Sequence, residues 1–195
     1  GEIPTAAVTN WKSYYEAYHN MWILDDSGTP IEYKIKPLQI SVGLDRILLI
    51  DIYNQVWTLQ NHRLKPMHMQ AKSVAVGKNH TLIIDLNNQV WKDGTALNLK
   101  ALQIAIGLDD HILAIGAFDK QVFAWGKNQW GQANPNSTEI MIAQPQALNL
   151  TAVKVAAGTF FSVCIDTQAQ LWFWGYNLLL GLRNLPQQVR PTVIA

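Results

Sequence analysis

What the sequence lacks narrows its identity first. It contains one cysteine, Cys164, so no internal disulfide can form and a disulfide-stapled secreted scaffold is excluded. That thiol sits in the apolar run Phe161 to Ile165, where an inert core cysteine is expected, and an intracellular reducing compartment, cytoplasm or nucleus, is favoured. Charged side chains make up only 15% of the chain and nearly cancel, at a formal net charge of +1. There is thus no global attraction to nucleic acid or to an anionic membrane, and any such binding has to be local. No apolar run approaches the roughly eighteen residues of a membrane helix, and the longest, around Ile47 to Ile50 and Leu82 to Ile84, are strand-sized. The chain reads as soluble. No signal-peptide pattern is visible and the first residue is Gly1, so targeting is not readable from this end. A nucleophile elbow, a phosphate loop, a spaced zinc-ligand pair and a dinucleotide fingerprint are all missing. A covalent enzyme mechanism is left without candidates, and neither a cofactor nor a metal is expected.

What the sequence has is a repeat. Ala96 to Gly107 reads ALNLKALQIAIG, and fifty-one residues later Ala147 to Gly158 reads ALNLTAVKVAAG. Each copy is followed by an apolar run, a polar turn, and then Gln121-Val-Phe-Ala-Trp-Gly126 or Gln170-Leu-Trp-Phe-Trp-Gly175. Two further copies stand upstream, QISVGLDRILLIDIYNQVW from Gln39 and SVAVGKNHTLIIDLNNQVW from Ser73. In three copies an aspartate (Asp51, Asp85, Asp166) lies eight residues after the glycine, and a tryptophan (Trp57, Trp91, Trp172) six residues beyond it. In the copy at Gly107 the path to Phe123 is two residues longer, and both extra residues are assigned to the neighbourhood of Asp109-Asp110-His111, a turn expected to protrude. A worn fifth copy, MWILDDSGTPIEYK from Met21, keeps Asp25 but has Ile31 at the aromatic position.

Short β-branched runs in units that cannot cover their own apolar faces predict an all-β, propeller-like row of about four to five blades, as a small or incomplete ring. With 49% apolar residues, most strands should be covered on both faces. The 195 residues are read as a single repeat domain with units near 10–35, 36–69, 70–99, 100–150 and 151–195. The early units are short, twenty-six residues from Asp25 to Asp51 and thirty-four from Asp51 to Asp85, which predicts thin, three-stranded first blades. Trp11, Tyr14, Tyr15 and Tyr18 fall at helical spacing while the repeat alignment asks for strand, so residues 11–18 stay open. The two ends of the chain both carry Pro-Thr before small apolar residues, consistent with outer strands.

The pattern V-x-V-A-x-G-x-x-H-T-L-x-x-D-x-x-x-x-V-W-x-W-G-x-N-x-x-G-Q, best seen from Ser73 to Asp85 and from Trp125 to Gln132, resembles the regulator of chromosome condensation repeat. The resemblance covers roughly residues 19–195. It implies a propeller, commonly about seven-bladed. It also implies binding of a small GTPase such as Ran, with guanine-nucleotide exchange driven by a wedge that distorts the GTPase rather than by an acid or base. That wedge and its acidic contact residue have no counterpart that can be placed on this chain. Related divergent repeats in intracellular bacteria act as effectors on host GTPases, and the Gln, Asn, Ile and Lys content suits such an origin. The Gly-Trp-Arg-His-Thr string of ultraviolet-sensing members is absent, so the tryptophans are assigned to packing.

The candidate partner-binding residues are Asp109, Asp110 and His111, Trp130, and Arg63 with Lys65. Asp109-Asp110-His111 concentrates two carboxylates beside an imidazole, yet metal binding needs three or more convergent ligands and no spacing supplies them. Trp130 lies in the long polar stretch after Trp125, read as a surface loop, where it is either tucked under the loop or offered to a partner. Arg63, Lys65 and Lys72 belong to residues 61–72, read as a solvated connecting loop or a phosphate-binding, chromatin-binding or anionic-lipid patch. The recurring aspartates are assigned to turn amides and His80 to a structural role. A non-catalytic protein-interaction scaffold is the alternative to GTPase exchange. Open blade edges would favour self-association.

Overall fold

A computed structural model describes residues 5–8, 13–17, 20–25 and 27–176. Every regular element among them is a β-strand, and no helix there is long and apolar enough to cross a membrane. Pro4, Trp11, Tyr18 and the stretch after Tyr176, with its own proline-threonine pair, lie outside the described residues.

The strands fall into five consecutive antiparallel sheets. The first is β1 (Thr5–Val8), β2 (Ser13–Ala17), β3 (Asn20–Leu24) and β4 (Pro30–Tyr33), paired in that order. Residues 13–17, left open between helix and strand, are thus strand, paired with β1 and β3. The second sheet begins with β5 (Pro37–Val42), β6 (Ile47–Asp51) and β7 (Gln55–Gln60). Its outer strand is the first half of β8 (Arg63–Val76), where Gln60 faces Arg63 and Gln55 faces Gln70. The second half of β8 then pairs with β9 (Thr81–Asp85), Ala71 opposite Asp85, as the inner strand of the third sheet. The same handover recurs in β11 (Thr95–Ile106), after β10 (Gln89–Lys92), and in β14 (Met141–Ala157), after β12 (His111–Gly116) and β13 (Gln121–Lys127). β15 (Phe161–Asp166) and β16 (Leu171–Gly175) complete the described part of the fifth sheet.

This sharing corrects two expectations. The second blade is four-stranded rather than thin, because β8 passes from one sheet to the next without spending loop residues. Residues 63–72 are accordingly strand, and only Asn61 and His62, both with positive φ, form the turn before them. The handover has its own hydrogen bond. The amides of Ala71, Ala101 and Ala152 donate to the carbonyls of Asn54, Asn88 and Lys120, each at 2.9 Å. Those three acceptors are the hairpin residues with φ of 61°, 64° and 58°. The left-handed conformation belongs to the tight turn and is one that asparagine tolerates better than most residues.

Burial follows the sheet stack. β6 is buried along its whole length because both faces are covered. Ile47 and Leu49 pack with Met21 and Ile23 of the first sheet, whereas Leu48 and Ile50 pack with Val74, Val76 and Ile83 of the third. Each such aliphatic side chain contributes about 1.5–3 kcal/mol relative to exposure. A larger cluster runs on through Leu82, Ile84, Ile112, Leu113, Trp125 and Trp174, joining the third, fourth and fifth sheets. The inner strands approach so closely that a Cβ on Gly107 would collide with the carbonyl oxygen of Gly158, the matching glycine of the next blade. The repeating glycine is therefore set by blade spacing. The described row of sheets does not close on itself.

Candidate functional site

The hairpins between the second and third strands of a blade are built on the recurring aspartate. Oδ1 of Asp51 accepts the amides of Tyr53 and Gln55 at 2.8 and 2.9 Å, and Oδ2 accepts the Trp57 indole N–H at 2.8 Å. Asp85 does the same for Asn87, Gln89 and Trp91, and Asp166 for Gln168, Gln170 and Trp172. Asp25 holds only the turn, through Ser27 and Thr29, since Ile31 has no side-chain N–H to offer. The turn role matches the sequence reading; the indole bond is additional to it. For Asp166, the Trp172 indole leads in holding the carboxyl below its ordinary value, against opposing burial. At Asp85 burial pushes upward and is outweighed by Trp91 and the turn amides.

The turn Asp109-Asp110-His111 does not protrude. Asp110 is 5% exposed and His111 is fully buried. Only one of the two extra residues lies here: Gly107 N–H reaches the His111 carbonyl, where Gly77 reaches that of His80, a turn one residue shorter. The other lies in the next hairpin, where Ile115 pairs with Val122, one residue further apart than Ile84 and Val90. The physical reason for the burial is the blade seam. Asp110 reaches back to the third blade and accepts the Asn79 side-chain amide at 2.6 Å and its backbone amide at 3.1 Å. His111 reaches forward to the fifth, its Nε2 3.1 Å from the Phe161 carbonyl and 2.9 Å from Ser162 Oγ. A carbonyl only accepts, so Nε2 carries the proton; Ser162 in turn donates to the Gln132 carbonyl at 2.6 Å. Nδ1 is left bare, buried and without a partner. Burial pushes the imidazole pKa down to about 4, against the opposing pull of the Phe161 carbonyl and of Asp109 and Asp110. Asp109, the least enclosed by its role, pairs with Lys127 at 2.7 Å. His80 is likewise structural, its Nδ1 2.7 Å from Asp93 Oδ2.

The stretch after Trp125 has no regular structure between Lys127 and Met141, as its composition predicts, yet it is packed. Asn128, 4% exposed, is its hub. Its Nδ2 donates to the carbonyls of Asn134 and Glu139, and its Oδ1 accepts the amides of Ala133 and Asn134. The loop ends inside the fourth–fifth seam, where the Trp174 indole donates to the Ala133 carbonyl at 3.0 Å. Gly126 opens this turn at φ 91°, and a Cβ there would strike the Asp110 carbonyl. Trp130 is half-buried, resting on Tyr176 with ring centroids 4.9 Å apart and edge-on to Phe160. Its ring is thus partly tucked into the seam.

Arg63 and Lys65 stand exposed at the start of β8, beside a depression of about 400 Å³ shared with Thr58, Gln60 and Asn61. Cys164 is buried, and burial pushes its thiol up to about 12. No group of three metal-binding side chains occurs among the described residues. The six sequence candidates thus fall in three places: the seam, the loop on its rim, and the distant edge of the second blade. Sequence reasoning missed the hairpin Ala117–Lys120, where Phe118 is 87% exposed. The signal available was the missing aspartate at Gly116 together with Phe123 in place of tryptophan.

No family model matches the chain. RCC1 domain-containing protein 1 of Homo sapiens is 34% identical over 100 residues, 47% of this chain and 26% of that protein. The match spans about a quarter of the relative's length. Among solved structures, human WBSCR16 is similar with a TM-score of 0.77 at 17% identity, over 90% of this chain and 63% of that one. Prp20p of Saccharomyces cerevisiae, described with its binding properties to Gsp1p and histones, is similar with a TM-score of 0.70 at 18% identity, over 88% and 57%. The repeat motif, its five-sheet arrangement and these likenesses agree: the chain carries repeats of the regulator of chromosome condensation type and forms an incomplete β-propeller.

Proposed function

We propose that the chain is a protein-binding propeller segment that engages a small GTPase of the Ran type and promotes guanine-nucleotide exchange on it. The observation that carries this reading is the repeat family itself, taken with the binding of Prp20p to Gsp1p. The chemistry needs no acid or base in the propeller. A protein that binds the nucleotide-free GTPase more tightly than the loaded form lowers nucleotide affinity by that difference alone. The buried, neutral thiol Cys164 suits a reducing compartment, and a bacterial effector delivered into a host cytosol would meet the same conditions.

One observation favours a second reading, a scaffold without exchange activity. Asp110 and His111 are consumed by the seams and Asp109 by Lys127, so the turn offers no free acidic group to a GTPase. The exposed Arg63 and Lys65 support a local phosphate contact. Release of labelled GDP from a panel of small GTPases, Ran included, separates the readings. Acceleration on one member supports exchange. Binding without acceleration supports the scaffold, and neither overturns both. Salt-steep affinity for DNA or anionic vesicles, abolished by Arg63→Glu and Lys65→Glu, would support the phosphate contact instead.

A further inference from the structure

The register places the start of every inner strand beside a second-to-third-strand hairpin: Pro37 faces Asp51, Ala71 faces Asp85, Ala101 faces Gly116 and Ala152 faces Asp166. One rim of the propeller therefore collects the hairpin tips and the residues just after each handover. Large apolar side chains are exposed there: Phe118 at 87%, Tyr53 at 73%, Leu38 at 61%, Leu102 at 51% and Val153 at 48%. Two depressions of about 400–500 Å³ flank the Ala117–Lys120 hairpin. The one toward the inner strands is lined by Lys72, Leu102, Lys120 and Val153; the outer one by Lys100, Phe118 and Phe123.

The exposed charges of this rim are mostly positive. Lys72, Lys100, Lys120 and Lys154 are all exposed and none is in an ion pair with a described residue, although Lys72 donates to Asn88 Oδ1 at 2.8 Å. The rim's aspartates, by contrast, are held by the backbone, and of them only Asp119 is exposed. Asp51, Asp85 and Asp166 each hold two turn amides and an indole, and Asp119 holds the Gln121 amide. The hairpin that departs from the repeat is the one that projects the most exposed aromatic side chain. Aromatic anchors ringed by complementary charge are the usual core of a protein-binding surface, and local departures from a repeating rule tend to mark function.

We infer that this rim docks an acidic protein segment bearing apolar side chains, with Phe118 as the anchor and Lys72, Lys100 and Lys120 pairing its carboxylates. The surface is independent of the GTPase reading: it stands or falls by peptide binding, whereas exchange stands or falls by GDP release.

The test uses the full chain and fluorescence anisotropy of a short fluorescein-labelled peptide of mixed glutamate, leucine and phenylalanine. Two control peptides replace the glutamates by lysine or the apolar residues by serine. The acidic apolar peptide binds saturably, and each control binds at least about tenfold more weakly. Phe118→Ser, and Lys72→Glu combined with Lys120→Glu, each weaken binding by about tenfold or more, while Leu108→Ser on the opposite rim leaves it unchanged. Because Phe118 is almost fully exposed, its loss does not compromise folding. Absence of binding, equal binding of the acidic and basic peptides, or indifference to Phe118→Ser overturns the inference. So does displacement of the peptide by phosphatidylserine vesicles or duplex DNA. A doubled solution mass that Phe118→Ser returns to monomer overturns it in favour of a second copy as occupant.

Discussion

Phe123 lies across Gly116, so close that a Cβ on that glycine would sit 3.0 Å from the ring's Cε2. In the neighbouring blade the same two positions are Asp85 and Trp91, joined by an indole-to-carboxylate hydrogen bond of 2.9 Å. Both members of the pair are lost together in the fourth blade, whereas the first blade keeps Asp25 for its turn and has Ile31 at the other position. An indole N–H beside a glycine would leave a half-buried donor unsatisfied, so the fourth blade, having lost the aspartate, carries a phenyl ring instead.

The pair predicts a coupling. Trp91→Phe removes the donor and costs about 1–2 kcal/mol, whereas Asp85→Ala also strands the Asn87 and Gln89 amides and costs about 2–4 kcal/mol. The double variant should be less damaging than the sum, by about 1 kcal/mol, in urea unfolding. Strict additivity would show the bond to be energetically silent.

His111 predicts an acid dependence. Its pKa is lowered from 6.5 to about 4 in the folded chain, so the unfolded chain binds more protons between those values. Stability from this group is fully present above about pH 6.5 and is lost as pH falls toward 4, on the order of 3 kcal/mol in all. His111→Gln keeps a side-chain N–H donor near Ser162 without the titration. Thermal unfolding followed from pH 7 to 4 should show a shallower decline in His111→Gln than in the parent, once the general acid effect of the carboxylates common to both is subtracted.

Asn128 predicts a local release. Asn128→Ala leaves the Ala133 and Asn134 amides and several carbonyls without partners. Limited proteolysis should then cut between Gln129 and Glu139 at low protease, while the parent resists. Global stability should fall by about 2–4 kcal/mol, because the loop also closes the fourth–fifth seam.

Ala169 predicts a gain. It stands at φ 62°, at the hairpin position that Asn54 and Asn88 fill elsewhere. Ala169→Gly relieves the left-handed strain and should stabilise by about 0.5–1 kcal/mol in urea unfolding, net of the extra freedom glycine has in the unfolded chain. A loss of stability would mean that the turn is not under strain.

Much of this architecture was legible because a repeat reports itself. The Gly-to-Asp-to-Trp spacing locates inner strand, second strand and hairpin in three blades, and one aspartate can satisfy two amides only in that turn. The Asp109-Asp110-His111 turn misled for a physical reason: two acids and a histidine look like a solvated tip, and nothing local says that a neighbouring blade supplies Asn79 on one side and Phe161 and Ser162 on the other. The segment after Asn61 misled likewise. Its charges and proline suggest a loop, but alternate residues face solvent on an outer strand while the others lie against the sheet.

The sequence by itself determined the repeating unit, the inner and second strands of three blades and the aspartate turns that follow them, because these rest on contacts between residues within one unit. Only the tertiary structure decided which polar side chains are spent and which are free. That depends on the partner across each seam, thirty to fifty residues away, and on the handover that swings each outer strand into the next sheet.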